Sequence, residues 1–348
     1  MTIGTPQQKA LSLVRGKKLL LPNLYEALPG WRYETSRDCS ERVNDAVEAW
    51  IQSWTTNEST HAKARAGKPG LLAKCMYPDA DEEMIADMAC YLAWIFEWDD
   101  NFDLTTDIHG PKRLQEETKR HIESILNKEP ILAPGTLQPI TNGLTRIVSK
   151  IANKCPLGPR KRFLHEIGEY IDSVTAWAER QNGSMPTLAE QCANRRLTVG
   201  VRPSIELIEY CYGLDIPQAI IEHDAVQEIM ERTTEIVMLS NDIVSLGPEM
   251  ASGQVGNIIS VLAYQDGMSA QGAMDRAVDL IRKAHTAFEE AERCLPLPSG
   301  NTELDASVQR LVLGCKDICT GSINWSYNCS RYFGENPVRE SGKVVIQL

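Results

Sequence analysis

The sequence has no apolar run long enough to cross a membrane and no concentrated basic segment. Nowhere do about 18 apolar residues follow one another, the length that a membrane-spanning helix needs. The 36 Lys and Arg residues against 47 Asp and Glu residues give a net charge of −11. Because no block of Lys and Arg interrupts this balance, a nucleic acid or an anionic membrane is excluded as the main partner. An anionic substrate would need cations placed locally.

Cysteine and histidine patterns typical of disulfide frameworks and zinc sites are also missing. The ten cysteines include no CxxC pair, and the six histidines form neither HxxxH nor HExxH. The first residues carry no apolar segment typical of a secretory signal. We therefore predict reduced thiols and a cytoplasmic location.

Apolar and polar residues rarely alternate with the period of two that is typical of strands. Short β-branched stretches such as residues 343–348 are too few to predict a sheet. Apolar residues instead repeat at spacings of three and four, as in the stripe of Val43, Val47 and Trp50. Breaks such as residues 68–70 (Lys-Pro-Gly) separate the helical segments. The class is therefore all-α. The predicted helices cover about 41–54, 81–100, 111–127, 159–182, 203–213, 217–246, 269–294 and 302–333.

No composition shift, flexible linker or repeat divides the 348 residues. Residues 1–35 are interrupted by Pro and Gly and predict an irregular N-terminal strap lying over the domain. Residues 334–348 form a C-terminal tail. We therefore predict a single α-helical domain over residues 1–348.

One strongly apolar helix ends in three aspartates, Asp99, Asp100 and Asp103, in the pattern DDxxD. Asp99 and Asp103 are four residues apart, so their carboxylates share a helix face and can bridge hard divalent cations. Phe96 lies one turn earlier on that face. The alternative interpretation is a helix end whose acids are solvated or paired with basic neighbours, since acids at a helix C-terminus oppose its dipole.

A second oxygen-rich stripe follows about 140 residues later, in the pattern NDxxSxxxE. Asn241, Ser245 and Glu249 recur at i, i+4 and i+8, which aligns an amide, a hydroxyl and a carboxylate on one helix face. Without Cys or His among them, these ligands favour Mg²⁺ or Mn²⁺ over zinc. The alternative interpretation is a helix that stops at Gly247 and Pro248, with its polar residues facing water.

In these two motifs the sequence resembles the class I terpene synthases, specifically the microbial and fungal cyclases. Arg195 lies 46 residues before Asn241, where that family has a diphosphate-sensing arginine. The pair Arg331 and Tyr332 begins 82 residues after Glu249 and matches the family's Arg-Tyr pair. The resemblance spans residues of about 90 to 332, and the first 80 residues carry no diagnostic motif.

The resemblance implies a class I terpenoid synthase helical bundle around a central active-site cavity. It also implies three Mg²⁺ ions, with Mn²⁺ as an alternative, held between the two motif helices against the diphosphate of a prenyl substrate. The metal ligands implied are Asp99, Asp100, Asp103, Asn241, Ser245 and Glu249. The diphosphate-binding residues implied are Arg195, Arg331 and Tyr332.

The carbocation that ionisation leaves must be shielded from water, which calls for an apolar cavity with aromatic faces. Phe96 and Trp325 are the candidates for cation stabilisation, and ordinary core packing is the alternative for each. The resemblance implies that Val199, four residues after Arg195, lies at a helix break and points its backbone carbonyl at the cation. Core or rim packing is our interpretation of Trp94, Trp98, Tyr170, Trp177, Tyr210 and Tyr327.

Pro248 departs from the family pattern, in which Lys or Arg often precedes the motif's Glu and contacts diphosphate. Proline lacks an N–H and crowds the carbonyl one turn earlier, so we expect a kink between Ser245 and Glu249. A diphosphate cation must then come from elsewhere, which leaves more of the task to Arg195 and Arg331.

The sequence thus predicts a lyase, a sesquiterpene synthase that ionises farnesyl diphosphate, releases diphosphate and forms a cyclic hydrocarbon or alcohol. The preference for fifteen carbons depends on chain size and family analogy. Alternatives are a diterpene cyclase using geranylgeranyl diphosphate, a chain-elongating prenyltransferase and a non-catalytic helical protein that binds prenyl diphosphate. The expected partner is the prenyl diphosphate, with no nucleic acid and no membrane span, and the expected state is a monomer or homodimer.

Overall fold

The computed structural model describes residues 5–103, 109–127, 138–180, 185–334, 337–340 and 343–348. Each of the eight predicted helical segments is helical where the structure describes it. The segment 217–246, however, is divided at Glu222 and His223 and continues to Ser252, and 302–333 is divided at Cys329. The all-α class is confirmed. None of the described helices is long and apolar enough to cross a membrane. The helices are α1 (Pro6–Val14), α2 (Glu41–Gln52), α3 (Glu58–Gly67), α4 (Pro69–Met76), α5 (Glu82–Asp103), α6 (His109–Asn127), α7 (Pro139–Lys154), α8 (Leu157–Arg180), α9 (Leu188–Thr198), α10 (Val201–Tyr212), α11 (Gln218–Ile221), α12 (Asp224–Ser252), α13 (Ile258–Gln265), α14 (Ala270–Arg293), α15 (Thr302–Asn328) and α16 (Ser330–Phe333).

The two helices that carry the motifs, α5 and α12, are each surrounded by other helices. α5 packs against α2, α4, α7 and α8, and α12 packs against α9, α10, α14 and α15. Their apolar faces join one cluster of buried residues that reaches from Val14 to Ile346. Burial on several sides fixes the direction of both helices, and so of their polar ends.

The crossing of α4 and α15 depends on a glycine. A Cβ at Gly321 would overlap the backbone carbonyl of Cys75, so only glycine lets the two helices approach this closely. Trp325 lies one turn further along α15, where its indole Nε1 donates to the carbonyl of Gly67 at 2.6 Å. The close crossing thereby places the Trp325 ring beside the end of α3.

The prediction of an irregular strap over residues 1–35 is wrong for Pro6–Val14, which is helical. Thr5 caps this helix, because its hydroxyl accepts from the amide of Gln8 at 3.2 Å while the Gln8 side chain accepts from the amide of Thr5 at 2.9 Å. Proline fits the first turn of a helix, where its missing N–H would have no partner. The same reason explains why Pro69 and Pro139 begin α4 and α7, which the pattern of breaks did not predict.

The expectation of no sheet is also wrong, because strands near the two ends of the chain form a small one. The strands are β1 (Lys18–Leu20), β2 (Arg339–Glu340) and β3 (Lys343–Gln347), in the order β1-β3-β2 with both pairings antiparallel. A Cβ at Gly247 of α12 would lie 3.4 Å from Ile346 of β3. The sheet therefore lies against the C-terminal part of α12.

Candidate active site

The aspartates of α5 lie beside basic residues from two other helices. The Asp100 carboxylate pairs with Lys63 Nζ of α3 at 3.0 Å and with Arg331 Nη2 of α16 at 3.4 Å. Asp99 faces the same region and contributes to raising the pKa of Arg331, although burial of that guanidinium opposes the rise. Asp103 ends α5, but its side chain lies outside the described residues. Asp100 therefore carries a paired, partly buried charge.

The stripe on α12 forms as predicted, and the helix continues through Pro248 to Ser252 instead of stopping there. Ser245 Oγ donates to Glu249 Oε1 at 2.6 Å, so the side chains on either side of Pro248 remain in contact. Asn241 Oδ1 accepts from Arg195 Nη2 at 2.9 Å, and Asn241 Nδ2 donates to the Tyr332 hydroxyl at 3.1 Å. The predicted metal ligands of α12 thus contact the predicted diphosphate ligands directly.

The two motifs face each other across a polar cavity of about 300 Å³. α5 supplies Asp99 and Asp100 to its wall. From the rest of the chain the wall receives Asn241, Ser245, Pro248, Glu249, Ser252, Gln254, Arg331 and Tyr332. Carboxylate, amide and hydroxyl oxygens are the donors that Mg²⁺ prefers, and the site offers no sulfur or imidazole.

A metal here would depend on oxygens from outside the protein. Three or more His, Cys, Asp or Glu side chains do not converge on one metal position anywhere in the described ranges. Mg²⁺ is commonly held by one or two carboxylates and completed by phosphate oxygens and waters. The donor set fits that kind of site.

Arg195 is held at the junction of α9 and α12. Its Nε donates to Asp242 Oδ1 at 2.9 Å, and Asp242 is almost fully buried. Burial tends to lower the pKa of Arg195, but the carboxylates of Asp242, Glu249 and Asp99 outweigh it and raise that pKa, so the guanidinium stays charged. Burial raises the pKa of Asp242, and the positive charge of Arg195 acts in the opposite direction by lowering that pKa.

A break between α9 and α10 follows Arg195, as the resemblance implied. α9 ends at Thr198, Val199 caps it and donates its N–H to the Arg195 carbonyl at 3.0 Å, and Gly200 adopts a left-handed φ of 69°. Glycine takes that conformation without steric cost. The break places Val199 in the wall of an apolar cavity next to Arg195.

This apolar cavity, of about 120 Å³, adjoins the polar one and shares wall residues with it. Phe96 stacks on Trp325 with ring centroids 5.3 Å apart and planes inclined by 10°. Tyr332 meets Trp325 edge-on at 5.5 Å. The shared wall residues are Asp99, Asn241, Arg331 and Tyr332. A ligand with an anionic head and an apolar tail fits this pair of cavities.

We expect Phe96→Leu to change the product mixture more than the substrate affinity. Leucine keeps apolar bulk but removes a π face from the cavity wall. Gas chromatography of the products with a parallel KM measurement checks this. Phe288→Leu is the matched control, because Phe288 is fully buried against Trp31 and does not line the cavity; its product ratio stays that of the wild type. An unchanged profile for Phe96→Leu would leave Phe96 as a packing residue only.

The structure adds residues that the motifs did not single out. Lys63 precedes the aspartates by more than 30 residues and carries no sequence signal, yet it pairs with Asp100. Asp242 lies inside the second motif, where its buried pairing with Arg195 gives it a structural task. Tyr170 lines the apolar cavity, whereas Trp94 and Trp98 are fully buried as predicted.

A larger opening of about 570 Å³ lies elsewhere, between the segment that follows α2 and the helices α6 and α7. Its wall includes Trp54, Glu97, Arg113, Glu117 and Gln138. None of the predicted site residues whose side chains the structure describes lines it, so volume alone does not identify the site.

A family model and individual relatives both match this chain. The model of the family described as terpene synthase family 2, C-terminal metal binding, matches residues 90–286. The chain is 30% identical over 344 residues to a terpene cyclase of Annulohypoxylon truncatum, covering 96% of this chain and 91% of the relative. It is 28% identical over 347 residues to a sesquiterpene synthase of Cyclocybe aegerita, covering 99% and 96%.

Solved structures share the fold. A cucumene synthase variant matches with a TM-score of 0.71 at 21% identity, covering 87% of this chain and 99% of that one. A linalool/nerolidol synthase from Streptomyces clavuligerus matches with a TM-score of 0.73 at 18% identity, covering 86% and 99%. At these identities the likeness shows the class I all-α fold.

Proposed function

The chain belongs to the terpene synthase family, and from that premise we propose that it is a magnesium-dependent sesquiterpene synthase. It ionises farnesyl diphosphate, releases diphosphate and cyclises the cation to a hydrocarbon or alcohol. The observation that carries this proposal is the pair of adjoining cavities, one lined by facing oxygen donors and cations and the other by aromatic and aliphatic side chains. Such a pair matches the two ends of a prenyl diphosphate.

The metal ligands proposed are those of the two motifs, and three Mg²⁺ ions would lie between α5 and α12. When bound, the metal neutralises charge on the departing diphosphate as a Lewis acid. The ligands proposed are Asp99, Asp100, Asp103, Asn241, Ser245 and Glu249.

The protein's own cations bind and orient the diphosphate. Arg195 and Arg331 offer planar, charge-assisted donors, and the Tyr332 hydroxyl adds another because burial raises its pKa and keeps it protonated. Pro248 takes the place where relatives often carry a basic residue. Lys63, at 3.0 Å from Asp100, supplies a further cation beside that carboxylate, although it does not line the polar cavity itself.

The apolar cavity shields the hydrocarbon chain after ionisation. Phe96 and Trp325 line this cavity with rings that stack on each other, and a cation beside an aromatic ring is stabilised by its quadrupole. Val199 contributes its carbonyl dipole at the helix break. Exclusion of water by this wall keeps the cation from premature capture.

Similarity to sesquiterpene synthases supports the fifteen-carbon substrate. Besides the Cyclocybe aegerita relative, the chain is 29% identical over 297 residues to the (+)-eremophilene synthase of Gibberella fujikuroi, covering 84% of this chain and 82% of the relative. A single domain, a monomer or homodimer and a cytoplasmic location stay predictions.

The test is product analysis after separate incubation with geranyl, farnesyl and geranylgeranyl diphosphate. We expect a cyclic C15 product from farnesyl diphosphate with Mg²⁺, and its complete loss when EDTA removes the metal, because the net charge of −11 leaves diphosphate poorly neutralised without metal. Gas chromatography coupled to mass spectrometry measures both.

Other outcomes identify the alternatives. A cyclic C20 product from geranylgeranyl diphosphate indicates a diterpene cyclase. Longer linear diphosphates in the presence of isopentenyl diphosphate indicate a chain-elongating enzyme. Binding of prenyl diphosphate without metal and without turnover indicates a non-catalytic binding protein.

A further inference from the structure

Asn257 lies in the turn between α12 and α13 and is fully buried. Its side-chain oxygen accepts from the amide of Ile259 at 2.9 Å and caps α13. Its side-chain amide donates to Glu249 Oε2 at 2.8 Å and to the backbone carbonyl of Asp242 at 2.7 Å. One buried side chain thus joins a helix start to a predicted metal ligand.

The next residue extends this junction to Arg195. The amide of Ile258 donates to Asp242 Oδ2 at 2.8 Å, while Asp242 Oδ1 accepts from Arg195. The first turn of α13 therefore contacts both Glu249 and the partner of Arg195. The predicted metal ligand and the predicted diphosphate ligand share one buried support.

Glu249 has particular need of such support. It follows Pro248, and α12 ends three residues later at Ser252. Its two carboxylate oxygens are held from opposite sides, Oε1 by Ser245 Oγ and Oε2 by Asn257 Nδ2. A long, flexible carboxylate that is already oriented loses less conformational freedom when it binds a ligand.

We propose that Asn257 is a positioning residue that orients the Glu249 carboxylate for a divalent metal and ties it to the Asp242–Arg195 pair. This inference depends on the proposed function, since it assigns Asn257 a task toward the metal of that site. Partners that hold a ligating side chain typically change metal affinity 10- to 100-fold when they are removed.

The test compares Asn257→Ser with Asn301→Ser. Serine also caps helices well, so α13 keeps its N-cap while the donor to Glu249 is lost. Asn301 caps α15 through the amides of Glu303 and Leu304 and does not line either site cavity. The pair therefore separates capping from metal positioning.

The readout is Mn²⁺ binding in the presence of inorganic pyrophosphate, followed by electron paramagnetic resonance. We expect Asn257→Ser to weaken Mn²⁺ binding about 10- to 100-fold, and Asn301→Ser to bind as the wild type does. The Mg²⁺ concentration for half-maximal turnover rises by a similar factor in Asn257→Ser, and saturating Mg²⁺ restores most of kcat. A merely structural defect would lower kcat without this recovery.

A double-mutant cycle tests whether Asn257 affects Mn²⁺ affinity through its contact with Glu249. In a Glu249→Ala background, Asn257→Ser is expected to cause no further loss of Mn²⁺ affinity, because its target is already absent. Asn257→Thr, a second capping variant, takes its place where Asn257→Ser does not fold.

The assignment of Asn257 can be overturned in two ways. If folded Asn257→Ser binds Mn²⁺ with wild-type affinity, Asn257 does not position Glu249, while the proposed function still stands. The same conclusion follows if Asn257→Ser lowers the Mn²⁺ affinity equally with Glu249 present and with Glu249 replaced by alanine. Absence of Mn²⁺ binding by the wild type with pyrophosphate refutes the proposed function and this role with it.

Discussion

Asp99→Ala is expected to lower turnover about a thousandfold, equivalent to about 4 kcal/mol of transition-state stabilisation. Asp99 lines both the polar and the apolar cavity, so in the proposed function it lies where the diphosphate and the hydrocarbon of the substrate meet. Removing its carboxylate takes away an anionic oxygen ligand that no other described residue of α5 replaces at that junction. Single-turnover kinetics with farnesyl diphosphate and Mg²⁺ measures the loss.

The fold should survive this change. Asp99 shares the cavity with the acids Asp100 and Glu249, so its removal relieves repulsion among like charges even as it takes one anion from Arg195 and Arg331. A melting temperature close to that of the wild type is expected. Asp45→Ala, on the exposed face of α2, serves as the control and should keep full activity. Undiminished turnover in Asp99→Ala would remove Asp99 from the metal site.

Arg195→Ala is expected to reduce both activity and stability. Arg195 pairs with the buried Asp242, and in the proposed function it also binds the diphosphate. Its loss leaves Asp242 buried without a cation, and breaking a buried pair in this way costs about 3–5 kcal/mol. It also removes a charged donor that we propose for diphosphate. Urea unfolding measures the first effect, and single-turnover kinetics the second.

A second substitution separates the two effects. Arg195→Ala combined with Asp242→Asn removes the unpaired charge, so most of the stability should return while activity remains low. Recovery of activity in the double variant would show that Arg195 serves the fold and not the substrate. Arg195→Lys keeps a charge without the planar fork and should lie between the wild type and the alanine variant in activity.

The stripe of Asn241, Ser245 and Glu249 could be predicted because its spacing is local. Residues four apart on a helix share a face whatever surrounds the helix. The same rule predicted that the aspartates of α5 lie together. The alternative interpretation, a helix that stops at Gly247 and Pro248, is wrong. Burial of α12 on several sides and its contact with β3 support a helix that proline alone would interrupt.

Arg195 shows the limit of local pattern. Its distance from Asn241 identified it by resemblance, yet α9, which carries it, was not predicted as a helix. α9 is short, and its buried residues are the polar Gln191 and Thr198, so it has no apolar stripe to detect. Its clearest local signal is the capping box formed by Thr187 and Glu190.

The sequence by itself determined the helical class and the two oxygen-rich stripes, because helix periodicity depends on neighbours along the chain. Motif spacing also identified Arg195 and the Arg331–Tyr332 pair by their resemblance to residues of terpene synthases. Only the tertiary structure decided that the stripes face one cavity, that Lys63 pairs with Asp100 and that Asn257 holds Glu249. Those contacts depend on how separate helices pack. The packing is fixed by burial of the whole apolar cluster rather than by any local pattern.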